Sequence, residues 1–181
     1  MQLDADARPP NGANPFTAAD VVAIMHEHGW LEGQPSPEQH SWCEHAASLL
    51  GPHAADRPAL ESLLALVFHY QAQAILGRVE SHVVLARYGA RDVIRHLALL
   101  ILEGGPLDSD RFKEIIAALK ERLELRGREL FHPIRLALTG RAGEGALDRV
   151  VLLLDAAAPL AFAAPVKSTR DRVLEFCTAL D

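Results

Sequence analysis

The 181 residues are 49% hydrophobic and 23% charged, with a formal net charge of −6 and a mean hydropathy of +0.06. That apolar content argues against a disordered chain and is enough for one domain, or two small packed lobes, whose core needs no staples. Ala and Leu supply 57 of the 181 residues and aromatics only 6%, which disfavours sandwiches and barrels and favours helices. Cys43 and Cys177 lie too far apart in sequence to suggest a disulfide framework, so a reduced, cytoplasmic setting is expected. The acidic, polar N-terminus lacks a signal-peptide pattern, and runs such as Leu97 to Leu102 are far short of the roughly 20 residues that span a bilayer.

Residues 1–16, with three prolines and no periodicity, read as a flexible arm. Thr17 is placed to cap a first helix ending near His28-Gly29. Ser36 followed by Pro37 and Glu38 predicts the start of a second helix, which Gly51-Pro52 stops. A third follows Asp56-Arg57-Pro58; its Leu60, Leu63, Leu64, Val67 and Phe68 form a core-facing stripe, and it is expected to continue to Leu76. Residues 79–87 are expected as a short helix and 90–103 as a strongly helical segment ending at Gly104-Gly105-Pro106. Asp108 caps an amphipathic helix over 110–126 that Gly127 ends. A shorter helix over 129–139, with Pro133 near its start, stops at Gly140. The Gly-rich run to Gly145 turns into a helix over 146–156, and Ser168 or Thr169 opens the last one. The reading is all-α, eight or nine helices in two small lobes, 17–77 and 78–181.

Charge is uneven: residues 1–77 balance at −7, 78–181 at +1 and 111–149 at +3. That asymmetry hints at a polyanion-facing C-terminal part. The most informative string lies there: Pro133, Ile134, Arg135, Ala137, Leu138, Thr139 and Gly140. It resembles the Pro-[Leu/Ile]-Arg-x-Ala-Leu-Thr-Gly helix in the all-helical, C-terminal anticodon-binding region of bacterial glutamyl-tRNA synthetases. The flanks agree, with an amphipathic helix and Gly127 before the string, a leucine-rich helix after it and a closing arginine-containing helix. The resemblance is specific over about 107–155 and weaker upstream.

It implies a non-catalytic module that binds a tRNA anticodon stem-loop, glutamate tRNA in the first instance. Such a module stands alone or acts in trans with a synthetase catalytic chain. No cofactor or metal, no DNA and no membrane are implied. Two departures matter. The His-Ile-Gly-His-like and Lys-Met-Ser-Lys-Ser-like strings of the synthetase catalytic domain do not occur in these 181 residues, so aminoacylation does not carry over. The Ala/Pro-rich connection over 156–166 is also longer than the family pattern, which puts the packing of the last helix in question.

An anticodon loop is a splayed single strand, held by cations on phosphates and by side chains reaching unstacked bases. Arg135 suits either task, because a planar guanidinium can fork onto a phosphate or a base edge. It could equally pair with Glu129 or another acid, leaving Pro133 and Gly140 as the start and cap of a helix. Thr139 and Gly140, small residues at a helix end, would allow close backbone approach. Arg87, Arg91 and Arg95 at i, i+4, i+8 would share a helix face, with Arg78, Arg122, Arg126 and Arg128 extending a phosphate-tracking surface. The plain alternative is a solvated face with Asp92 and Glu80 as partners. Trp30 and Trp42 read as core, whereas Tyr88 sits beside the arginine stripe.

His26, His28, His40, Cys43 and His45 approach metal-ligand spacing, but His26 and His28 diverge on a helix, and ordinary surface histidines explain them better. No nucleophile elbow or phosphate-binding loop occurs in the sequence. The tRNA-binding module thus leads. A regulatory or protein-interaction module that kept the scaffold is the alternative, favoured by the acidic first 77 residues.

Overall fold

A computed structural model describes residues 14–181 as ten α-helices, with no strand among the described residues. They are α1 Ala18–Glu27, α2 Pro37–Leu50, α3 Arg57–Phe68, α4 Ala72–Leu76 and α5 Val79–Leu85. Then come α6 Ala90–Leu102, α7 Ser109–Leu123, α8 Arg128–Thr139, α9 Ala146–Ala157 and α10 Thr169–Leu180. The expected all-α class is what is observed. The starts of α2, α3, α7 and α10 are fixed by side-chain caps. Ser36 Oγ accepts from Gln39 N–H at 3.1 Å, Asp56 from Ala59 at 2.9 Å, Asp108 from Arg111 at 2.8 Å and Ser168 from Asp171 at 3.1 Å. At α1 the roles reverse, with Asp20 accepting from the Thr17 N–H at 2.8 Å.

Two apolar clusters fill the interior. The first gathers α1, α2 and α3 with Val150, Leu153, Leu154 and Ala157 of α9, plus Phe162 and Val166 beyond it. The second gathers α4 to α8 and α10, and takes Val151 from the other side of α9. Both tryptophans are buried in the first cluster: Trp30 stacks on Phe68 at 4.7 Å and Trp42 donates to the Leu153 carbonyl at 3.1 Å. The connection over 158–166 is therefore packed on the first core, and α10 lies against α4, α6 and α8.

Several local expectations need correcting. The arm proposed for residues 1–16 falls mostly outside the described residues. Its last part is tied down, since Asn14 Nδ2 donates to the Ala47 carbonyl and Phe16 packs on the first core. The third helix does not run to Leu76. It ends at Phe68, and His69 turns extended (φ −122°, ψ 117°). The break places the Tyr70 hydroxyl under α8 and α10, where it donates to the Ala137 carbonyl and, at 3.2 Å, to that of Arg172. This buried tertiary bonding of the one hydroxyl outweighs the continuation of the helix.

Gly127 does not end α7 either. Glu124, left-handed at φ 55°, ends it three residues earlier. Leu125 is then buried, its Cδ1 2.8 Å from where a Cβ on Gly89 would sit. Pro133 lies at the sixth position of α8 rather than near its start, removing the N–H that would bond the Glu129 carbonyl.

Candidate nucleic-acid interface

Arg172 holds the two cores in register and thereby positions α8. It is fully buried, and its guanidinium donates to the carbonyls of Leu66 (2.9 Å), Val67 (2.7 Å), Leu138 (2.9 Å) and Lys167 (3.0 Å). One cation thus closes the C-terminal ends of α3 and α8, where helix dipoles present partial negative charge. Its flat face lies 4.7 Å from the Tyr70 ring. Burial pulls its pKa down to about 10, so it stays charged at neutral pH.

On α8, Arg135 forks onto Asp148 of α9, Nε to Oδ1 at 2.9 Å and Nη2 to Oδ2 at 3.0 Å. Nη1 adds the Gly143 carbonyl at 2.6 Å. Its partner is therefore Asp148 and not Glu129, and with 12% of the side chain exposed it orients the Gly-rich turn from within. Thr139 is buried and donates to the Arg135 carbonyl at 2.7 Å, which turns its hydroxyl back into α8. Gly140 ends α8 at φ 86°, with Ile75 Cδ1 2.9 Å from where a Cβ would stand.

The stripe expected from Arg87, Arg91 and Arg95 is not a single helix face. α5 ends at Leu85 and α6 begins at Ala90, with left-handed Gly89 (φ 77°) between them, so only Arg91 and Arg95 share a helix. Both are exposed and neither is ion-paired among the described residues; Glu80 is engaged instead by Arg141 at 3.2 Å and by the Ala142 N–H at 3.1 Å. Arg87 turns instead toward α8 and donates to His132 Nδ1 at 2.8 Å.

That contact marks a convergence. Burial, and then the charges of Arg87, Arg135 and Arg128, hold the His132 imidazole below its ordinary pKa, with Glu144 opposing. Of the seven residues expected from sequence, Arg128 opens α8, Arg87 bonds its His132 and Arg135 lies past its middle, while Thr139 and Gly140 lie at its C-terminal end. One helical turn before Arg135, Phe131 is half-buried, with Arg135 4.8 Å and Lys120 5.6 Å from its ring centre. It lines a groove of about 410 Å³ between α7, α8 and α9, together with Lys113, Lys120 and Arg149. Those three lysine and arginine contributions were not singled out from sequence, although Lys113 and Lys120 stand seven residues apart, two turns along one face of α7. Tyr88 is 87% exposed beside Arg87.

The histidine-rich segment disperses. His26 donates to the Gly33 carbonyl at 2.7 Å, His28 stacks on Trp30 at 4.5 Å and His40 lies 3.1 Å from Glu44. Cys43 is buried against Met25 sulfur, and burial pushes its thiol up to about 12.

The all-helical body thus carries a groove lined by Lys113, Lys120, Arg149 and Phe131, and comparison with known proteins assigns its family. Residues 17–156 match the model of the anticodon binding domain family, so the chain belongs to that family. It is 28% identical over 135 residues to the glutamate–tRNA ligase of Geobacillus thermodenitrificans, covering 74% of this chain and 27% of that protein. It is 37% identical over 71 residues to glutamate–tRNA ligase 2 of Syntrophus aciditrophicus, covering 39% of this chain and 15% of that one. The chain thus spans about a quarter or less of the length of these relatives. No solved structure matches it. Among the described residues no helix is long and apolar enough to cross a membrane.

Proposed function

We propose that this chain binds tRNA through the N-terminal half of α8 and the groove beside it, as a binding module without ligation chemistry of its own. The observation that carries this reading is the groove lined by Lys113, Lys120, Phe131 and Arg149, with Arg87 bonded to His132 of the same helix α8, inside the stretch that matches the anticodon binding domain family. In this reading Arg87 and Arg128 meet phosphates, and Lys113, Lys120 and Arg149 draw a single strand into the groove. Phe131 contributes apolar surface for an unstacked base, and Arg135 acts as a positioning residue through Asp148. An anticodon stem-loop is the favoured segment and glutamate tRNA the favoured species, with a synthetase catalytic chain as a partner in trans in the cytoplasm. Likeness to two glutamate–tRNA ligases supports those finer assignments.

Charge reversal at Arg128 and Lys120, both exposed, is expected to weaken binding of labelled glutamate tRNA at least tenfold without moving the urea midpoint. Unchanged affinity would remove the α8 surface from consideration. The second reading, a protein-interaction module on the same scaffold, is favoured by the −7 balance of residues 1–77 and by exposed Val79 and Val83. Retention of a protein partner by a chain that binds no tRNA would support it instead.

A further inference from the structure

A second cleft, of about 540 Å³, opens where the two cores meet, away from the groove beside Phe131. The broken helix creates it. Residues His69, Tyr70 and Gln71 run extended between α3 and α4, and the end of α8 at Thr139-Gly140 forms the facing wall.

Two cations line the cleft, Arg78 and Lys167, and no carboxylate does. Each is held from behind. Arg78 Nη1 donates to the Gly140 carbonyl at 3.0 Å, leaving Nε and Nη2 without a protein acceptor among the described residues. Lys167 Nζ donates to the Tyr70 carbonyl at 2.8 Å and to Glu175 at 2.6 Å, leaving its third N–H for a ligand. Glu175 balances one of these charges, but buried Arg172 adds a third cation behind Tyr70. Anchored cations with unused N–H donors are what a phosphate oxyanion requires, and the neighbouring Leu66, Phe68 and Ile75 supply apolar wall for a sugar or base.

We propose that this cleft is a phosphate subsite, filled by a backbone phosphate of the bound RNA. Arg78 and Lys167 hold the oxygens, and the motif's Gly140 sets Arg78 in place. The phosphate chemistry stands on the cleft alone; only its source in RNA rests on the function proposed above.

The test has two arms. In the first, the ¹⁵N-labelled chain is titrated with inorganic phosphate at constant ionic strength. Saturable shifts at the Gln71, Ala74 and Gly140 amides are expected, with a dissociation constant on the order of 1 mM. Arg78→Gln and, separately, Lys167→Gln should abolish saturation, with far-UV circular dichroism showing each variant folded. Shifts that never saturate, or that persist in both variants, overturn the subsite. In the second arm, labelled tRNA is bound by the double variant. A five- to tenfold loss is expected, with the log–log salt slope shallower by about 0.7 for each contact removed. A saturable phosphate site together with unaltered tRNA affinity overturns RNA as the source. A wild-type chain that binds no tRNA also overturns it, and defeats the proposed function, while the phosphate titration still decides the subsite.

Discussion

Replacing Arg172 by Met is the sharpest test of how this fold is held. Met occupies similar volume, so the change creates little cavity and isolates the polar effect. It strands four carbonyls, of which those of Val67 and Leu138 belong to fully buried residues. Each orphaned buried acceptor costs about 1–3 kcal/mol. Relief from burying a cation offsets part of this, leaving a net loss of about 3 kcal/mol. Against the 5–15 kcal/mol of an ordinary domain that is a large fraction. With an m-value near 2 kcal/mol/M, the urea midpoint should fall by about 1.5 M. Because the lost bonds reach α3 in the first core and α8 in the second, tryptophan fluorescence and far-UV circular dichroism should both report the drop. A midpoint within 0.3 M of wild type would refute the claim that this guanidinium ties the two cores together.

Gly140→Ala forces a side chain into φ 86° and against Ile75; a loss of about 2 kcal/mol is expected in thermal denaturation. Arg135→Lys keeps the charge but loses the fork onto Asp148 and the Gly143 bond. It should destabilise by about 1–2 kcal/mol, and amide hydrogen exchange should quicken over 141–147. His132 has a depressed folded pKa, so its contribution to stability is complete above the unfolded value near 6.5 and is lost as pH falls through the folded value. Comparing urea midpoints at pH 7.5 and 5.5, His132→Gln should show a smaller drop than wild type; an equal drop would assign the pH dependence to other groups.

The fold was legible where the physics is local. Ser36-Pro37, Asp56, Asp108 and Ser168 carry their cap chemistry in the sequence, and each caps its helix. It was hidden where a distant partner decides. Nothing within 69–71 announces that Tyr70 will bond carbonyls 67 and 102 residues away, and that pairing is what breaks the third helix. Likewise Leu125 under Gly89 ends α7 early. The same holds for the candidate interface. The spacing of Arg87, Arg91 and Arg95 suggested a stripe, but Gly89 divides it and sends Arg87 to His132. The motif Arg135 was conspicuous in sequence, yet its carboxylate partner sits in the next helix, 13 residues on. Phe131 and Lys120 matter because α7 and α8 pack side by side, which periodicity alone does not specify.

The most direct test of the RNA-binding account is the salt dependence of labelled glutamate tRNA binding, with an unrelated tRNA as competitor, for wild type and for Arg87→Glu/Arg128→Glu. The account predicts binding that weakens with a log–log slope of about −2 or steeper, and a variant weaker by tenfold or more with a slope shallower by about one to two. No binding by the wild-type chain at about 50 mM salt, where phosphate contacts are strongest, would contradict it, as would a variant with unchanged affinity and slope.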